Sequence, residues 1–265
     1  MNKGPAVFAA GPFALLNNFH CYHTPRMAHS LIHSSTHSPI PRFAIIVAGG
    51  SGTRMAADRP KQFLLLRGEP VLLHTLRRFA ESALGVTEII VVLPADQLAT
   101  WQALCAQFRV EIPHRLVAGG ATRWASVKAG LAALDEHGEG LVAVHDGVRP
   151  LVPRLVVERT YAAAATHAAA AAAVMPKDSV RLVSQHGSTA QNRSRLRLMQ
   201  TPQTFKIDLL RRAYAMPELA TFTDDATVVD DLCRVQLVEG DYRNLKITTP
   251  EDLLIAEALF LCVNE

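Results

Sequence analysis

Ala44 to Leu66 read AIIVAGGSGTRMAADRPKQFLLL, and the fold is decided in this stretch. The apolar run Phe43 to Val47 is rich in β-branched residues and reads as a buried strand. It opens into Ala48, Gly49, Gly50, Ser51 and Gly52, small residues that let backbone N–H groups approach a ligand closely. Two cations follow, Arg54 and Lys61, with Pro60 stiffening the approach to Lys61. A glycine turn alone is compatible with a plain tight turn. Fixed cations behind it favour a triphosphate, cradled by amides and neutralised by side chains.

Two other phosphate motifs are excluded. The stretch lacks the Gly-Lys-Ser/Thr that closes a Walker loop, and Met55 stands where the dinucleotide fingerprint needs its third glycine. The totals narrow the class further. A chain of 265 residues with 49% apolar content fits one large α/β domain, or one domain with an appendage. No apolar run reaches the roughly 20 residues of a membrane span. Lys3, Arg26 and Arg42 are the charged residues of the first 42, which leaves 24 basic against 24 acidic residues beyond them and no electrostatic case for nucleic acid. Cys21, Cys105, Cys233 and Cys262 are scattered and read as reduced thiols of a cytosolic protein.

Residues 1–42 differ from the rest. They hold His20, His23, His29, His33 and His37, with serines and prolines and no period. They are expected to be a disordered extension, with Met27 as another candidate start, or else a targeting segment built on the apolar Ala6 to Leu16. From 43 to 265 strands and helices alternate. Helices are expected over Val71 to Ser82, Gln97 to Phe108, Thr122 (as N-cap) to Leu134, and Pro153 to about Ala168. Strands are expected at Glu88 to Leu93, Leu116–Val117, Leu141 to Val144, Ala171 to Met175, Val235 to Val238 and Asn244 to Ile247. Thr249-Pro250-Glu251-Asp252 opens a final helix whose acids face its dipole. Such alternation implies a Rossmann-like, mostly parallel sheet with helices on both faces and ligands beyond the strands' carboxyl ends. Residues 177–204 interrupt it and read as a polar loop or hairpin.

Val144-His145-Asp146-Gly147-Val148-Arg149-Pro150 is the second strong signal. A strand ending in an acid with Arg three residues on is either a structural ion pair or a site. In the second case Asp146 serves a divalent metal and a nucleotide, and Arg149 a second phosphate. His145 should point away from the Asp146 face and reads as structural. Ala118-Gly119-Gly120 is a second glycine turn, leading to Arg123 and Ser126. Thr223-Asp224-Asp225 reads as a helix N-terminus.

The strings AGGSGTRM, RPKQF at 59–63 and VHDGVRP closely resemble the signature blocks of the sugar-nucleotide and polyol-phosphate nucleotidyltransferases. Among these the chain is most similar to the 2-C-methyl-D-erythritol 4-phosphate cytidylyltransferases of the non-mevalonate isoprenoid pathway, over nearly all of 43–262. The resemblance implies a nucleotide-diphospho-sugar-transferase-like fold with an extended β arm, about 177–204, embracing a partner in a homodimer. It implies that Ala48, Gly49, Gly50, Gly52, Gly120, Ser126 and Asp146 bind CTP, with Mg²⁺ on Asp146. Arg54, Lys61 and Lys246, the last in the closing block Glu239 to Thr248, would be catalytic. Arg149, Ser179, Arg193, Thr201, Thr223 and Asp224 would hold the acceptor, Arg193 and Thr201 reaching in from the partner subunit. Two departures are visible: Ala121 replaces an acid frequent in the family, and Pro176 is shifted by one position.

The implied reaction is attack by a phosphate monoester oxygen on the α-phosphorus of CTP, with departure of pyrophosphate. It needs charge neutralisation and alignment and no general base. D-Ribitol 5-phosphate is the alternative acceptor, since its cytidylyltransferases share most of these blocks. A regulatory nucleotide-binding module without turnover is a further alternative. Small-molecule substrates, no nucleic acid, no membrane and a cytoplasmic location are expected, with plastid targeting by residues 1–42 as the other reading.

Overall fold

Strand β1 (Arg42–Val47) begins one residue before the expected run and lies near the middle of the sheet. The computed structural model describes Met1 and residues 40–50, 59–134 and 139–261. Ser38–Glu265 constitutes one compact unit; of the other, Met1–His37, only Met1 is described. After β1 come the short antiparallel pair β2 (Leu65–Leu66) and β3 (Glu69–Pro70), α1 (Val71–Ala80), β4 (Val86–Leu93), α2 (Leu98–Gln107), β5 (Arg115–Ala118), α3 (Arg123–Ala132) and β6 (Leu141–Asp146). The second half runs through α4 (Arg154–His167), β7 (Ala169–Val174), the hairpin of β8 (Val180–Ser184) and β9 (Gly187–Gln191), β10 (Leu198–Lys206), α5 (Ile207–Tyr214), α6 (Asp225–Val229), β11 (Gln236–Glu239) and α7 (Pro250–Leu261).

Among the described residues the main sheet has seven strands in the order β11-β7-β10-β6-β1-β4-β5. All neighbours are parallel except β10, which runs antiparallel to β6 and β7. Side chains of β1 alternate between two apolar layers, as the pleat requires. Ala44 and Ile46 join Leu72, Leu76 and Phe79 of α1, Trp101 of α2 and Tyr161 of α4. Ile45 and Val47 join Val127 and Leu131 of α3, Leu210 and Tyr214 of α5 and Val228 of α6. Helices thus cover both faces, as the alternation implied.

The topology fixes where a ligand sits. From β1 the chain moves one way to β4 and β5, then returns to β6 on the other side. The strand order therefore reverses between β1 and β6, and a crevice opens beyond their carboxyl ends. Val47 is level with Asp146 on one side and Val92 on the other, and Leu93 with Ala118. Both glycine turns and Asp146 therefore reach one edge of the sheet.

Two expectations need correction. Asn244 to Ile247 is not a strand; isolated bonds hold it, Ile247 N–H to Val148 O at 2.9 Å and Asn244 Nδ2 to Thr201 O at 2.7 Å. The arm is narrower than 177–204: the free hairpin is β8 with β9, while β10 belongs to the main sheet and runs straight into α5. Polar residues hid β10, and they are buried because each has a partner. Thr204 donates to Thr160 Oγ1 at 2.9 Å, and Gln203 Oε1 accepts the Ala226 N–H at 2.8 Å. Pro202 sits where the register with β7 slips, between Met199 and Gln203. The strand expected at Ala171 to Met175 is β7, which begins two residues earlier; its AAAAAV is a helix-favouring composition held in a fully buried strand between β10 and β11. The preceding α4 stops because Ala168 takes a left-handed conformation, φ 66°, with its N–H on Ala164 O.

Candidate active site

The first glycine turn leaves β1 with Ala48 still bonded to the sheet, its N–H on Val92 O at 2.9 Å. Gly49 and Gly50 then turn outward and are exposed. A Cβ on Gly50 would lie 3.0 Å from Lys61 Cε and 3.2 Å from its Nζ, so the ammonium rests on the glycine backbone. Gly52 and Arg54 lie outside the described residues. At the second turn Thr122 caps α3, accepting the Ala125 N–H at 3.0 Å. Ser126, one turn on, lies 2.9 Å from Thr122 O, to which its hydroxyl donates. A Cβ on Gly119 would lie 2.7 Å from that hydroxyl oxygen, so the turn closes on Ser126 only because a glycine stands there. Gly120 and Ser126 line the same cavity of about 180 Å³ as Ala48, Gly49, Gly50 and Lys61. Ala121 brings no polar side chain to it.

Asp146 ends β6 at the floor of this cavity and is almost wholly buried. Its Oδ2 lies 3.0 Å from Lys246 Nζ and 3.2 Å from Arg149 Nε; its Oδ1 is 3.5 Å from Arg123 Nε. Burial alone would raise the carboxyl pKa. The charges of Arg123, Lys246 and Arg149 overcome that and hold it far below the ordinary range, so Asp146 is ionised. Arg123 also makes a two-pronged bond to the fully buried Asp225, at 3.0 and 2.7 Å, and Tyr214 donates to the same carboxylate at 2.6 Å. Burial opposes the Arg123 charge, but Asp225 and Asp146 outweigh it and raise its pKa. Lys61, Lys246, Arg149 and Arg123 outnumber the two inner carboxylates, Asp146 and Asp225. Such a surplus of fixed positive charge suits polyanionic ligands.

A second cavity, about 240 Å³, is lined by Arg149, Thr201, Thr223 and Asp224, and shares Arg123, Asp146 and Lys246 with the first. These three residues are where the two cavities meet. Thr201 Oγ1 accepts the Asp146 backbone N–H at 3.0 Å. Thr201 therefore belongs to this chain's own sheet, which corrects the expectation that it reaches in from a partner subunit. Asp224 caps α6 through Thr227 N–H at 2.9 Å and accepts from Gln203 Nε2 at 2.8 Å. The sequence reading singled out Asp224; its neighbour Asp225 turns inward to Arg123.

Ser179 and Arg193 are not brought to either cavity. Ser179 is exposed just before β8, and Arg193 is exposed beyond β9, donating to Lys177 O at 2.5 Å. Arg149, by contrast, is fixed by its bond to Asn244 O at 2.7 Å. His145 is fully buried, 3.2 Å from Arg149 O and 3.1 Å from Thr201 Oγ1, with its ring against Phe79. Burial pulls its pKa down to about 4, and it stays neutral, in keeping with a structural histidine. The residue most clearly missed from sequence is Arg123. One signal was available: it occupies the first position of a helix, where the dipole disfavours a cation. Only a strong anionic partner justifies it there, and Asp225 lies 102 residues away in the chain.

Comparisons with known proteins give the family. Residues 43–261 match the family model for 2-C-methyl-D-erythritol 4-phosphate cytidylyltransferase (IspD). The chain is 47% identical over 220 residues to a protein of that name from Porphyromonas gingivalis, covering 82% of this chain and 97% of that one. It is 40% identical over 220 residues to one from Bacillus velezensis, covering 81% and 94%. Among solved structures it resembles 4-diphosphocytidyl-2C-methyl-D-erythritol synthase from Anaerococcus prevotii, with TM-score 0.71, 31% identity and 84% and 96% coverage. It also resembles the Thermus thermophilus cytidylyltransferase, with TM-score 0.63, 33% identity and 83% and 98% coverage.

Proposed function

The chain belongs to the 2-C-methyl-D-erythritol 4-phosphate cytidylyltransferase family, and from that premise we propose how its site divides the work. The activity is transfer of CMP from CTP to 2-C-methyl-D-erythritol 4-phosphate, giving 4-diphosphocytidyl-2-C-methyl-D-erythritol and pyrophosphate in isoprenoid precursor synthesis. The D-ribitol 5-phosphate and non-catalytic alternatives are disfavoured by relatives that share the erythritol name along nearly their whole length.

An acceptor phosphate oxygen attacks the α-phosphorus of CTP; the bond to the β-phosphate oxygen breaks, and pyrophosphate leaves with the electron pair. The monoester is largely a dianion at neutral pH, its second pKa being about 6, so no proton need be removed. That agrees with the described linings of the two cavities, which hold no histidine, and with His145 behind them, buried and neutral. The nucleotide occupies the cavity of the two glycine turns, with its base at Gly120 and Ser126 and its phosphates on Ala48, Gly49, Gly50 and Gly52. Lys61 holds the triphosphate from the β1 side, and Arg54 is assigned to the same phosphates from its motif. Lys246, anchored on Asp146, meets the α-phosphate from the other side. The acceptor lies in the second cavity, its phosphate on Arg149 and Thr201 and its hydroxyls near Thr223 and Asp224. The observation that carries this reading is the meeting of the two cavities at Asp146, Lys246 and Arg123.

Mg²⁺ fits the same carboxylate. Among the described residues no cluster of three or more acids, histidines or cysteines could hold a metal by itself. A single carboxylate beside a triphosphate site is the arrangement this ion uses. Among the described residues Asp146 Oδ1 has only the 3.5 Å contact to Arg123, and it is the oxygen that would hold the ion. When bound, the ion supplies neutralisation of phosphate charge.

The reading extends to assembly and place. The hairpin of β8 and β9 is exposed on both faces, including Leu182 and Val183. A lone two-stranded hairpin is marginal in water, which supports a partner for it in a homodimer. Ser179 and Arg193, remote from this chain's cavities, would then serve the partner's site. Residues 43–265 would be the catalytic domain and 1–42 an extension. A cytoplasmic location is supported by the free thiols of Cys105 and Cys233.

Pyrophosphate release from Mg-CTP, measured in parallel with 2-C-methyl-D-erythritol 4-phosphate and D-ribitol 5-phosphate, tests the reading. Release with the first alone is expected. Release with the second alone would move the acceptor assignment, and CTP binding without release would remove the catalytic one.

A further inference from the structure

Lys61 reaches the cavity on a single 3₁₀ turn, Lys61–Phe63. So short a turn has almost no hydrogen-bond ladder of its own, so the side chains beneath it set its orientation. Both residues that follow Lys61 are tied to the same helix. Phe63 is 2% exposed and lies flat on Trp101 of α2, with ring centroids 6.0 Å apart and planes 9° from parallel. Gln62 is fully buried, and its Nε2 donates to Oε1 of Gln97, the residue just before α2, at 2.5 Å. Gln62 Oε1 has no partner among the described residues, and the bond to Gln97 is what orients this amide there.

Trp101 is itself pinned. Its Nε1–H donates to His114 Nε2 at 3.0 Å, which makes Nε2 the acceptor and leaves the ring proton on Nδ1, 2.7 Å from Ile112 O. An apolar side chain of similar bulk would fill the space but could slide against Phe63. The indole, bonded at one edge and stacked on its face, cannot rotate without losing both contacts.

We infer that Trp101 and Gln97 are positioning residues for Lys61: together they fix the turn that lays its ammonium over Gly50, although neither lines the cavity. The inference rests on the reading of Lys61 as a group that acts on the α-phosphate. An error of about 1 Å in such a group costs on the order of a hundredfold in rate, so support from behind has kinetic consequences.

The test is a double-mutant cycle in kcat and KM, with thermal midpoints recorded for every variant. Trp101→Leu removes the stack and the anchor. Gln97→Ala, at a half-buried position before the helix, removes only the bond to Gln62 and leaves the core intact. Each is made alone and with Lys61→Ala. Each single variant is expected to lower kcat about tenfold while KM for CTP stays within about twofold, and to lower it no further when Lys61 is already alanine. Equal fractional losses in both backgrounds, or unchanged kcat in both single variants, would overturn the inference while leaving Lys61 its role. Wild-type kcat in Lys61→Ala alone would overturn that role and the inference with it.

Discussion

Asp146 meets three cations, yet its oxygens treat them differently: Lys246 and Arg149 share Oδ2, and Arg123 stands farther off at Oδ1. Arg123 is committed to Asp225 behind it. On the proposed mechanism one carboxylate would therefore organise positive charge around a reacting phosphate without cancelling it. His145, next in the chain, faces the core and gives a pH signature of its own. Burial depresses its pKa from 6.5 to about 4, so between those values the unfolded chain binds more protons and stability falls as pH falls. The loss over that window is on the order of 3 kcal/mol. Asp146, whose folded pKa is depressed, contributes stability that is lost only at still lower pH, below the ordinary carboxylate range. Denaturant unfolding at pH 6.5 and pH 4.5 is expected to show a smaller loss for His145→Asn than for the unaltered protein. An identical loss in the two would remove His145 as its source.

At the scale of elements, α3 carries Arg123 and Ser126 to the site and is held close to the sheet. Gly130 is the reason. A Cβ there would come within 2.7 Å of Ile45 Cγ2 and 2.9 Å of Val92 Cγ2. Alanine would raise helix propensity by about 1 kcal/mol, while overpacking costs about 1–3 kcal/mol. Gly130→Ala is therefore expected to lower the thermal midpoint, and an increase would mean that α3 has room to shift outward.

The elements also show what was legible in the sequence. β1, β4 and β6 were readable because their apolar runs fit strands buried on both faces. Thr122 was readable as a cap because its chemistry is local. β10 was not, since its buried Gln203 and Thr204 are satisfied by Asp224, Ala226 and Thr160, partners that no local pattern reveals. Asn244 to Ile247 has the composition of a strand and lacks a neighbour to pair with. In the site, Lys61, Asp146 and Lys246 followed from their motifs. The Arg123–Asp225 bond did not, because it joins two segments that meet only through the fold.

The described residues of 40–261 combine a layered body with an exposed hairpin. If that hairpin is the dimerisation arm, replacing 180–191 by a short Gly-Ser link should leave a folded monomer, because β8 and β9 pair only with each other. Sedimentation of the shortened protein should show the monomer, with activity largely lost if Arg193 serves the partner's site. A dimer after the deletion would place the interface elsewhere.

In the proposed mechanism Lys246 and Lys61 stabilise charge on a phosphorus shared by two cavities. Its most direct measurement is the steady-state kinetics of Lys246→Ala with both substrates varied. Removing one donor aimed at transition-state charge typically lowers kcat by about 10²–10³. A fall of that size in kcat, with both KM values within a few-fold of the unaltered protein's, is the predicted result. An unchanged kcat with a raised KM for one substrate would make Lys246 a binding residue of a single cavity and contradict the claim.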